Sequence, residues 1–576
     1  MTYQEIPLVI GSKIISDPNL RGLVENTPCE LAPDSKTYSE SLAIHWVIPD
    51  FRPGTGGHMT IFRMIRYLES FGHTNTIWIY NQTFNKTPGI AYDGIVRHFQ
   101  LLKATVCFTS DESFKNVSGD VVVATNWGSV SFVNSLENFK RRFYFVQDNE
   151  PQFKPRGSFS ISAENTYLYD IDCICAGPWL RDLMKNRYGR WARKFWLAAD
   201  FETYNCYGRK IKKNKHCARI AFYTRIMTHR RAVELGFLAL EELAEQELDI
   251  EVHLFGAPAL GFNEAPFKCI DHGIMTTTDL AQLYRECDIG IVFSTTNYSL
   301  IPQEMMACGL PVIELDTEST RAIFPDDVIT LVSNKPKYMA EQIRNFIADP
   351  ARRTIQAEKA LQWVSQFSWY DAARSVENAF FERLEEVGFK KETLSENKSV
   401  KASVIIPTYN GSQVFKKVFC KVREQIAPWK YEICIVDSGS TDGTAEFLES
   451  QDNIIFHRIP NSEFQHGRTR NFAINLTSGE FIAVLTQDAL PVSEYWLYNM
   501  VTAMEKYPNA AGAFGKHLAW PDADPFTKRD MANHFRKFDE GQFLVSRDTN
   551  PDKWQKADRY WKQYRNFSIT QGNSEC

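Results

Sequence analysis

Asn297-Tyr298-Ser299-Leu300-Ile301-Pro302-Gln303-Glu304-Met305-Met306-Ala307-Cys308-Gly309-Leu310-Pro311-Val312-Ile313 joins two apolar runs, Ile289 to Phe293 before it and Pro311 to Leu315 at its end. The runs read as buried strands, and the segment between them as a short helix with one acid, Glu304, near its first turn. A helix start beside strand C-termini is where an open α/β sheet binds its ligand. A carboxylate there can accept both hydroxyls of a ribose, or it can simply complement the helix dipole. The stretch predicts an α/β fold, and the residues around it bear on the choice between those two roles.

Upstream, Ala218 to Tyr223 and Ile250 to Phe255 read as further strands of the same domain. Thr224-Arg225-Ile226-Met227-Thr228-His229-Arg230-Arg231 turns from the first of them into a helix. Cations five apart at such a turn, Arg225 and Arg230, can face a diphosphate. Downstream, Trp363 to Val387 reads as helical and amphipathic, closing this half. From Tyr204 to Cys217 runs a basic linker with Arg209, Lys210, Lys212, Lys213 and Lys215, read as a solvated hinge or, more sharply, as a contact for phosphates or an anionic bilayer.

Another α/β domain precedes the linker. Ala43 to Pro49 is a buried strand pattern, followed by Asp50-Phe51-Arg52-Pro53-Gly54-Thr55-Gly56-Gly57-His58 and a helical run from Met59 to Ser70. Gly56 and Gly57 suit a turn lying close to a ligand, although the glycines do not match G-x-G-x-x-G and a plain tight turn explains them equally. Strands are expected at Thr76 to Tyr80, Val121 to Ala124, Phe143 to Val146 and Asp172 to Ala176. Polar residues follow several of them: Asn126 and Trp127, Gln147 and Asp148 with Glu150, and Gly177. Each is a site residue or a turn residue.

Composition bounds the function. The 576 residues suffice for roughly three or four domains, and 44% hydrophobic with 23% charged residues is ordinary for globular chains. A net charge of −5 gives no overall case for nucleic-acid binding. Twelve cysteines form no C-x-x-C pair, and Cys173-x-Cys175, inside an apolar run, suits buried thiols better than a metal site. No signal-peptide pattern follows Met1, and no apolar run is long enough to span a bilayer. A reduced, soluble cytoplasmic protein is expected, with attachment to a membrane face left open.

In the order of its motifs this part of the chain resembles a GT-B glycosyltransferase of family 4. The motifs are Arg225 with Arg230, then Glu304 with Ala307-Cys308-Gly309-Leu310-Pro311-Val312. Val47-Ile48-Pro49-Asp50-Phe51, Gly56-Gly57-His58-Met59-Thr60, Tyr144-Phe145-Val146-Gln147-Asp148 and Gln303-Glu304-Met305-Met306-Ala307 look like the WsaF-type rhamnosyltransferases, which use a dTDP-rhamnose donor. The resemblance implies that Arg225 and Arg230 hold the donor diphosphate without a metal and that Glu304 holds the ribose. It also implies that Gly56, Gly57, Thr296 and Asn297 line the donor pocket while Gln147 and Asp148 lie on the acceptor side of the cleft. Thr296 stands where the family often carries a second Glu.

After the polar linker Leu394 to Val400, a third α/β unit opens. Ala402 to Gly411 and Glu432 to Thr444 are strand-and-turn patterns; His466-Gly467-Arg468-Thr469-Arg470-Asn471 precedes a helix; Glu480 to Leu485 is a strand ending in Thr486-Gln487-Asp488-Ala489-Leu490-Pro491. An acid just past a strand suits a hard cation, whereas Asp437 and Asp442 taken singly are ordinary turn residues. The motifs Ile406-Pro407-Thr408-Tyr409-Asn410, Val436-Asp437-Ser438-Gly439-Ser440-Thr441-Asp442 and Gly467-Arg468-Thr469-Arg470-Asn471 resemble a family 2, GT-A glycosyltransferase. Leu485-Thr486-Gln487-Asp488-Ala489 and Gly515-Lys516-His517-Leu518 with Pro521-Asp522-Ala523-Asp524-Pro525 look like its rhamnosyltransferase branch. By that resemblance Asp437, Asp442 and Arg468 bind the donor, and Asp488 binds Mg²⁺ or Mn²⁺. No candidate for the family's acidic general base is found before Cys576, so this domain is expected to be incomplete in the chain or inactive.

The expected organisation is an extension (1–40), a GT-B acceptor lobe (41–205), a donor lobe with closing helices (206–390), a linker (391–401) and a partial GT-A domain (402–576). The expected function is transfer of a deoxyhexose, rhamnose by resemblance, to a growing cell-surface polysaccharide. The acceptor would be a lipid-linked oligosaccharide at the cytoplasmic membrane face. A rival is a non-catalytic glycan- or nucleotide-sugar-binding scaffold; a third, a GT-B sugar-nucleotide epimerase, leaves everything after Leu394 unexplained.

Overall fold

The computed structural model describes residues 28–209, 217–246, 248–258, 265–392, 399–507, 510–520 and 523–539. Lys210, Lys212, Lys213 and Lys215 of the basic linker lie outside the described residues, as do most of the 1–40 extension and Pro521 with Asp522. The described residues divide into two compact units. The first runs to residue 392 apart from 69–73 and 93–103; those two segments and the residues beyond 392 belong to the second.

In the first unit, β1 (Thr37–Tyr38) precedes a seven-stranded sheet made of β2 (Ala43–Pro49), β3 (Thr74–Tyr80), β4 (Thr105–Phe108), β5 (Gly119–Ala124), β6 (Phe139–Val146), β7 (Asp172–Ala176) and β8 (Ala192–Phe195). The spatial order is β4-β3-β2-β5-β6-β7-β8, with every pairing parallel. A parallel sheet is covered on both faces, which is why β2, β5 and β7 read as nearly unbroken apolar runs. Trp46, Val47, Ile48, Val122, Phe145 and Ile174 are fully buried. Burial also pushes the Cys173 and Cys175 thiols of β7 up, as expected of inert core cysteines. Strand order reverses between β2 and β5, which opens a crevice at their C-terminal ends.

The second lobe of this unit is a six-stranded parallel sheet: β9 (Ala218–Tyr223), β10 (Ile250–Phe255), β11 (Lys268–Asp271), β12 (Ile289–Ile291), β13 (Val312–Leu315) and β14 (Thr330–Val332), in the order β11-β10-β9-β12-β13-β14. Its crevice lies between β9 and β12. β15 (Lys390–Lys391) pairs with β1. Helix α1 (Gly56–Ser70) follows β2, and α2 (Ile301–Ala307) carries Glu304.

One expectation is refined here and one corrected. The helical stretch over Trp363 to Val387 is divided between α3 (Pro350–Val364) and α4 (Trp369–Glu386). The break falls at Ser368, whose side chain accepts from the Asp371 amide and starts a new helix. Arg209, read as part of a solvated hinge, is committed to the second lobe: it donates to the carbonyls of Tyr284 at 3.0 Å, Cys308 at 3.2 Å and Cys287 at 3.3 Å.

The second unit carries a four-stranded parallel sheet of β16 (Ala402–Thr408), β17 (Tyr431–Asp437), β18 (Ile455–Arg458) and β19 (Phe481–Val484), in the order β18-β17-β16-β19. Helices α5 (Ser412–Arg423), α6 (Thr444–Glu449) and α7 (His466–Asn475) lie among these strands in sequence. Its crevice opens between β16 and β19.

Candidate functional site

In the first unit Arg225 and Arg230 follow β9, and Thr296 and Asn297 follow β12, on either side of the crevice between those strands. The turn after β9 brings Arg225, Arg230 and Arg231 close enough to repel one another. Burial and these like charges push the Arg230 guanidinium down, against the pull of Asp148. Arg230 Nε lies 3.1 Å from Asp148 Oδ2, an ion pair across the two lobes whose N–H is not aimed at the oxygen. The Arg230 guanidinium also stacks over the Phe153 ring at 4.0 Å. The Arg225 side chain has no partner among the described residues.

The loop after β12 faces the first lobe. The Asn297 amide donates to Gln147 O at 3.0 Å and Ala176 O at 2.9 Å. Its backbone N–H donates to Asp148 Oδ1 at 2.9 Å, and its Oδ1 accepts from Ser319 at 3.2 Å. Both amide hydrogens are thus in use, which leaves Asn297 as a clasp between the lobes with no free donor for a sugar nucleotide. Thr296 is 3% exposed, and its hydroxyl is buried without a partner. Tyr298 accepts from the Leu197 amide at 3.1 Å and Gln303 donates to Leu197 O at 2.8 Å, which fixes the crossing segment to the second lobe.

Glu304 sits in the first turn of α2, 8% exposed. Burial pushes its carboxyl up to about 7 despite the nearby Arg63 and a hydrogen bond from Tyr204; Asp200 adds to the rise. Arg63 belongs to α1, pairs with Asp200 at 3.2 Å and lies over the Trp369 ring. Glu304 therefore faces groups of the first lobe. Gly57 is placed against Gln147: a Cβ there would lie 3.6 Å from Gln147 Nε2, whereas one on Gly56 would meet nothing within 4 Å.

Two buried carboxyls complete the arrangement. Glu150, by sequence a site residue or a turn residue, accepts from the Trp127 amide at 2.7 Å, and burial pushes it up to about 8. Glu314 on β13 is fully buried and accepts from the amides of Ser294 at 2.7 Å and Leu315 at 2.9 Å; burial pushes it up to about 8 as well, against Arg231. Arg231 turns inward and donates to Ser294. The sequence reading passed over Arg231 and Glu314. The one signal available was an acid in the apolar run Val312-Ile313-Glu314-Leu315, a pattern that demands a buried polar partner.

In the second unit the loops at the β16/β19 crevice hold one another. Gln487 Oε1 accepts from Thr408 Oγ1 and the Tyr409 amide, both at 2.8 Å, and its Nε2 donates to Tyr409 O at 3.2 Å. Asp437 is fully buried, with its carboxylate accepting from the amides of Gly439 at 3.0 Å and Ser440 at 2.9 Å and from the Ser440 hydroxyl. These bonds are those of a turn residue, and they commit the Asp437 carboxylate to the loop after β17. Asp442 is exposed and accepts from the Thr444 amide at 3.1 Å at the start of α6. Arg468 on α7 is exposed and without a partner among the described residues.

Asp488 is exposed, and its carboxylate has no partner among the described residues. No cluster of three or more His, Cys, Asp or Glu able to cage a metal occurs among them. A lone open carboxylate does fit Mg²⁺ or Mn²⁺ arriving with a diphosphate, since such ions take one or two carboxylates and complete their shell with phosphate oxygens and water.

Residues 218–344 match the family profile described as "WsaF, C-terminal domain", and residues 403–553 match "Glycosyl transferase family 2". The O-antigen biosynthesis protein RfbC of Myxococcus xanthus is 28% identical over 337 residues, 56% of this chain and 26% of that protein. The O-antigen chain rhamnosyltransferase RfbN of Salmonella typhimurium is 34% identical over 141 residues, 24% of this chain and 42% of that one. The chain thus spans less than half the length of these curated relatives. The solved structure of Anabaena HepE with UDP-glucose aligns with a TM-score of 0.46 at 15% identity, covering 60% of this chain and 100% of that one, a likeness too distant to bear on the site. No described helix is long and apolar enough to cross a membrane. One polypeptide therefore carries a WsaF C-terminal domain followed by a family 2 glycosyl transferase domain.

Proposed function

We propose that the chain is a glycosyltransferase that moves rhamnose from dTDP-rhamnose onto a growing cell-surface glycan of the O-antigen kind, with a transfer centre in each unit. The observation that carries this reading is the gathering of Arg225, Arg230 and Arg231 at the β9/β12 crevice, where only Asp148 pairs with Arg230 and Arg225 stays unpaired. Converging guanidinium groups at a sheet switch point suit a diphosphate. Arg225 and Arg230 would neutralise the charge that develops as the sugar leaves, an electrostatic task worth several kcal/mol in a site shielded from water. Glu304 would accept the ribose hydroxyls, and Gln147 with Asp148 would border the acceptor. This half needs no metal.

In the second unit Asp488 would hold Mg²⁺ or Mn²⁺, whose chemistry is to offset charge on the departing diphosphate. Gln487 holds the Thr408–Tyr409 turn beside it, and Arg468 is open to a phosphate. The acceptor is a lipid-linked oligosaccharide met at the cytoplasmic face of the membrane, with the protein bound peripherally. The rival reading, a nucleotide-sugar-binding scaffold, is favoured by one observation: Asp437 and Asn297 have their polar groups engaged within the protein.

Thermal shift with dTDP-rhamnose, UDP-glucose and dTDP, with and without Mg²⁺, tests the binding half. Expected are a metal-independent shift in the first unit's transition and a metal-dependent one in the second's. Transfer assayed with Arg225→Ala and Asp488→Ala tests the chemistry. Activity retained by both variants would sink the assignment of both centres, and binding without transfer would favour the scaffold.

A further inference from the structure

The first lobe contains a device that the transferase chemistry does not use. Asp50, just past β2, gathers the loop that follows β3: its Oδ2 accepts from the amides of Thr83 at 2.6 Å, Phe84 at 2.5 Å and Asn85 at 3.1 Å. Its Oδ1 accepts from Asn85 Nδ2 at 2.6 Å, and that amide also reaches Phe51 O at 3.0 Å. Burial raises the Asp50 carboxyl, but these donors outweigh it and hold it below the usual carboxylate range. A carboxylate accepting from three successive amides fixes the loop backbone on both sides of Phe84.

What the loop presents is an exposed aromatic ring. Phe84 is 45% exposed, and Arg52, on the loop after β2, places its guanidinium 3.6 Å from the ring centroid. The Arg52 side chain is itself exposed and makes no hydrogen bond or ion pair among the described residues. A single surface Phe needs no explanation. A surface Phe whose backbone is pinned and whose ring is stacked under an unpaired guanidinium does, because the protein has ordered three groups without burying them.

We propose that Phe84 with Arg52, held by Asp50, is a stacking platform for a pyranose ring of the acceptor glycan, an inference that rests on the glycosyltransferase reading above. A pyranose has one apolar C–H face, which suits an aromatic ring, and a rim of hydroxyls, which suits free guanidinium N–H groups. Pre-ordering the loop lowers the entropy lost on binding, the usual function of rigid aromatic anchors at recognition surfaces. The platform stands at the C-terminal ends of β2 and β3, beside the crevice of the lobe opposite the arginines. A nucleobase would also stack on a ring, but the diphosphate-binding groups belong to the other lobe.

Saturation-transfer NMR on the full chain decides it, with methyl α-L-rhamnopyranoside as the sugar probe and dTDP as the nucleotide probe in the same sample. Expected is transfer to the ring protons of the sugar, weakened about 3- to 10-fold in Phe84→Ala and Arg52→Ala and restored in Phe84→Trp. Asp50→Asn, which leaves Phe84 in place but frees its loop, should weaken the signal as well. The dTDP signal should be unchanged in all four variants. Sugar transfer of wild-type strength in Phe84→Ala overturns the proposal, as does a Phe84-dependent signal from dTDP alone. No sugar signal while dTDP still binds overturns it and leaves the transferase reading standing; failure of both probes removes both.

Discussion

The two units place polar residues at the same topological position, the point where strand order reverses, and treat them in opposite ways. At the β9/β12 crevice of the first unit the groups are half-buried or buried and reach across to another lobe: Arg230 to Asp148, Asn297 to Gln147 and Ala176. In the second, half-buried Gln487 ties the loop after β19 to the loop after β16 within one sheet and buried Asp437 holds the loop after β17, while Asp442, Arg468 and Asp488 face water. Charge held away from water acts strongly without a metal, whereas an exposed carboxylate acts weakly unless a divalent ion concentrates the charge. The comparison therefore predicts two ways of handling one kind of leaving group.

The sharpest way to break this contrast is to remove a guanidinium. Arg230→Ala should lower metal-independent transfer by about 10²- to 10³-fold, the range for loss of one preorganised charge-stabilising group. Transfer that requires Mg²⁺ should be untouched, and Asp488→Ala should show the reverse. If chelation abolishes the activity that depends on Arg230, the contrast is wrong.

Next in size is the clasp. Asn297→Ala strips hydrogen bonds from two backbone carbonyls, Gln147 O and Ala176 O, and should destabilise the first unit by about 2–4 kcal/mol. Gln487→Ala, at a part-exposed position where water can replace the lost bonds, should cost about 1 kcal/mol in the second unit. Urea denaturation followed as two transitions reads both.

The pH response should differ in sign. Glu150 and Glu314 titrate at about 8 and Glu304 at about 7 in the folded chain, against 4.5 for a free glutamate. Below 4.5 the folded and unfolded states both hold these protons. Above it the unfolded chain ionises first, so these groups lower the first unit's stability as pH rises toward 8, by up to about 1.4 kcal/mol per pH unit for each. Below pH 6.5 His45, His58 and His253, held low by desolvation, oppose them, so the loss shows from pH 6.5 upward. Glu314→Gln, an isostere of the protonated form, should flatten that slope. In the second unit Asp442 is held low by Thr444, and Glu432 by donors from Ser478 and Ser403 that outweigh its burial. Their contribution is present above the usual carboxylate range and is lost as pH falls through the lowered values. The first transition's midpoint should fall as pH rises from 6.5 to 8, whereas the second's should stay level there and fall only below pH 4.5.

How much of this the sequence disclosed depended on how local the cause was. Ala43–Pro49, Asp172–Ala176, Ala218–Tyr223 and Ile250–Phe255 were legible to the residue because a strand covered on both faces writes a short, mostly apolar run, interrupted at most by an isolated polar residue such as His45, Arg219, Glu251 or His253. The break between α3 and α4 was legible in principle, since Ser368 and Asp371 are a start signal inside an otherwise periodic stretch, but the periodicity masked it. Partners far apart in the chain were not legible at all. Asn297 finds Gln147 150 residues away, Arg209 finds Cys308 99 residues away, and no local pattern encodes either. Arg225 and Arg230 were visible as a pair by spacing; that Arg231 turns in to Ser294 while Arg230 turns out to Asp148 depends on the neighbouring strand ends.

The smallest effect tests the reading of the glycine turn. Gly54 has φ +81 and so needs glycine for its backbone, whereas no such constraint applies at Gly57. A Cβ on Gly57 would stand at ordinary contact distance from the Gln147 amide, and alanine forms helix more readily than glycine by about 0.8–1 kcal/mol in a helix interior, less at its first turn. Gly57→Ala should therefore leave the first unit as stable as before or slightly more so, by up to about 0.5 kcal/mol. A glycine that only forms part of a plain turn would allow that change silently. A glycine kept so that a ligand can approach the start of α1 would not, because the added methyl group would stand between the ligand and the N–H groups there. Calorimetric titration of dTDP-rhamnose and of dTDP into Gly57→Ala separates the two. Weaker binding of the sugar nucleotide with unchanged stability would place the donor's sugar against α1, and unchanged binding would reduce Gly56-Gly57 to a plain turn.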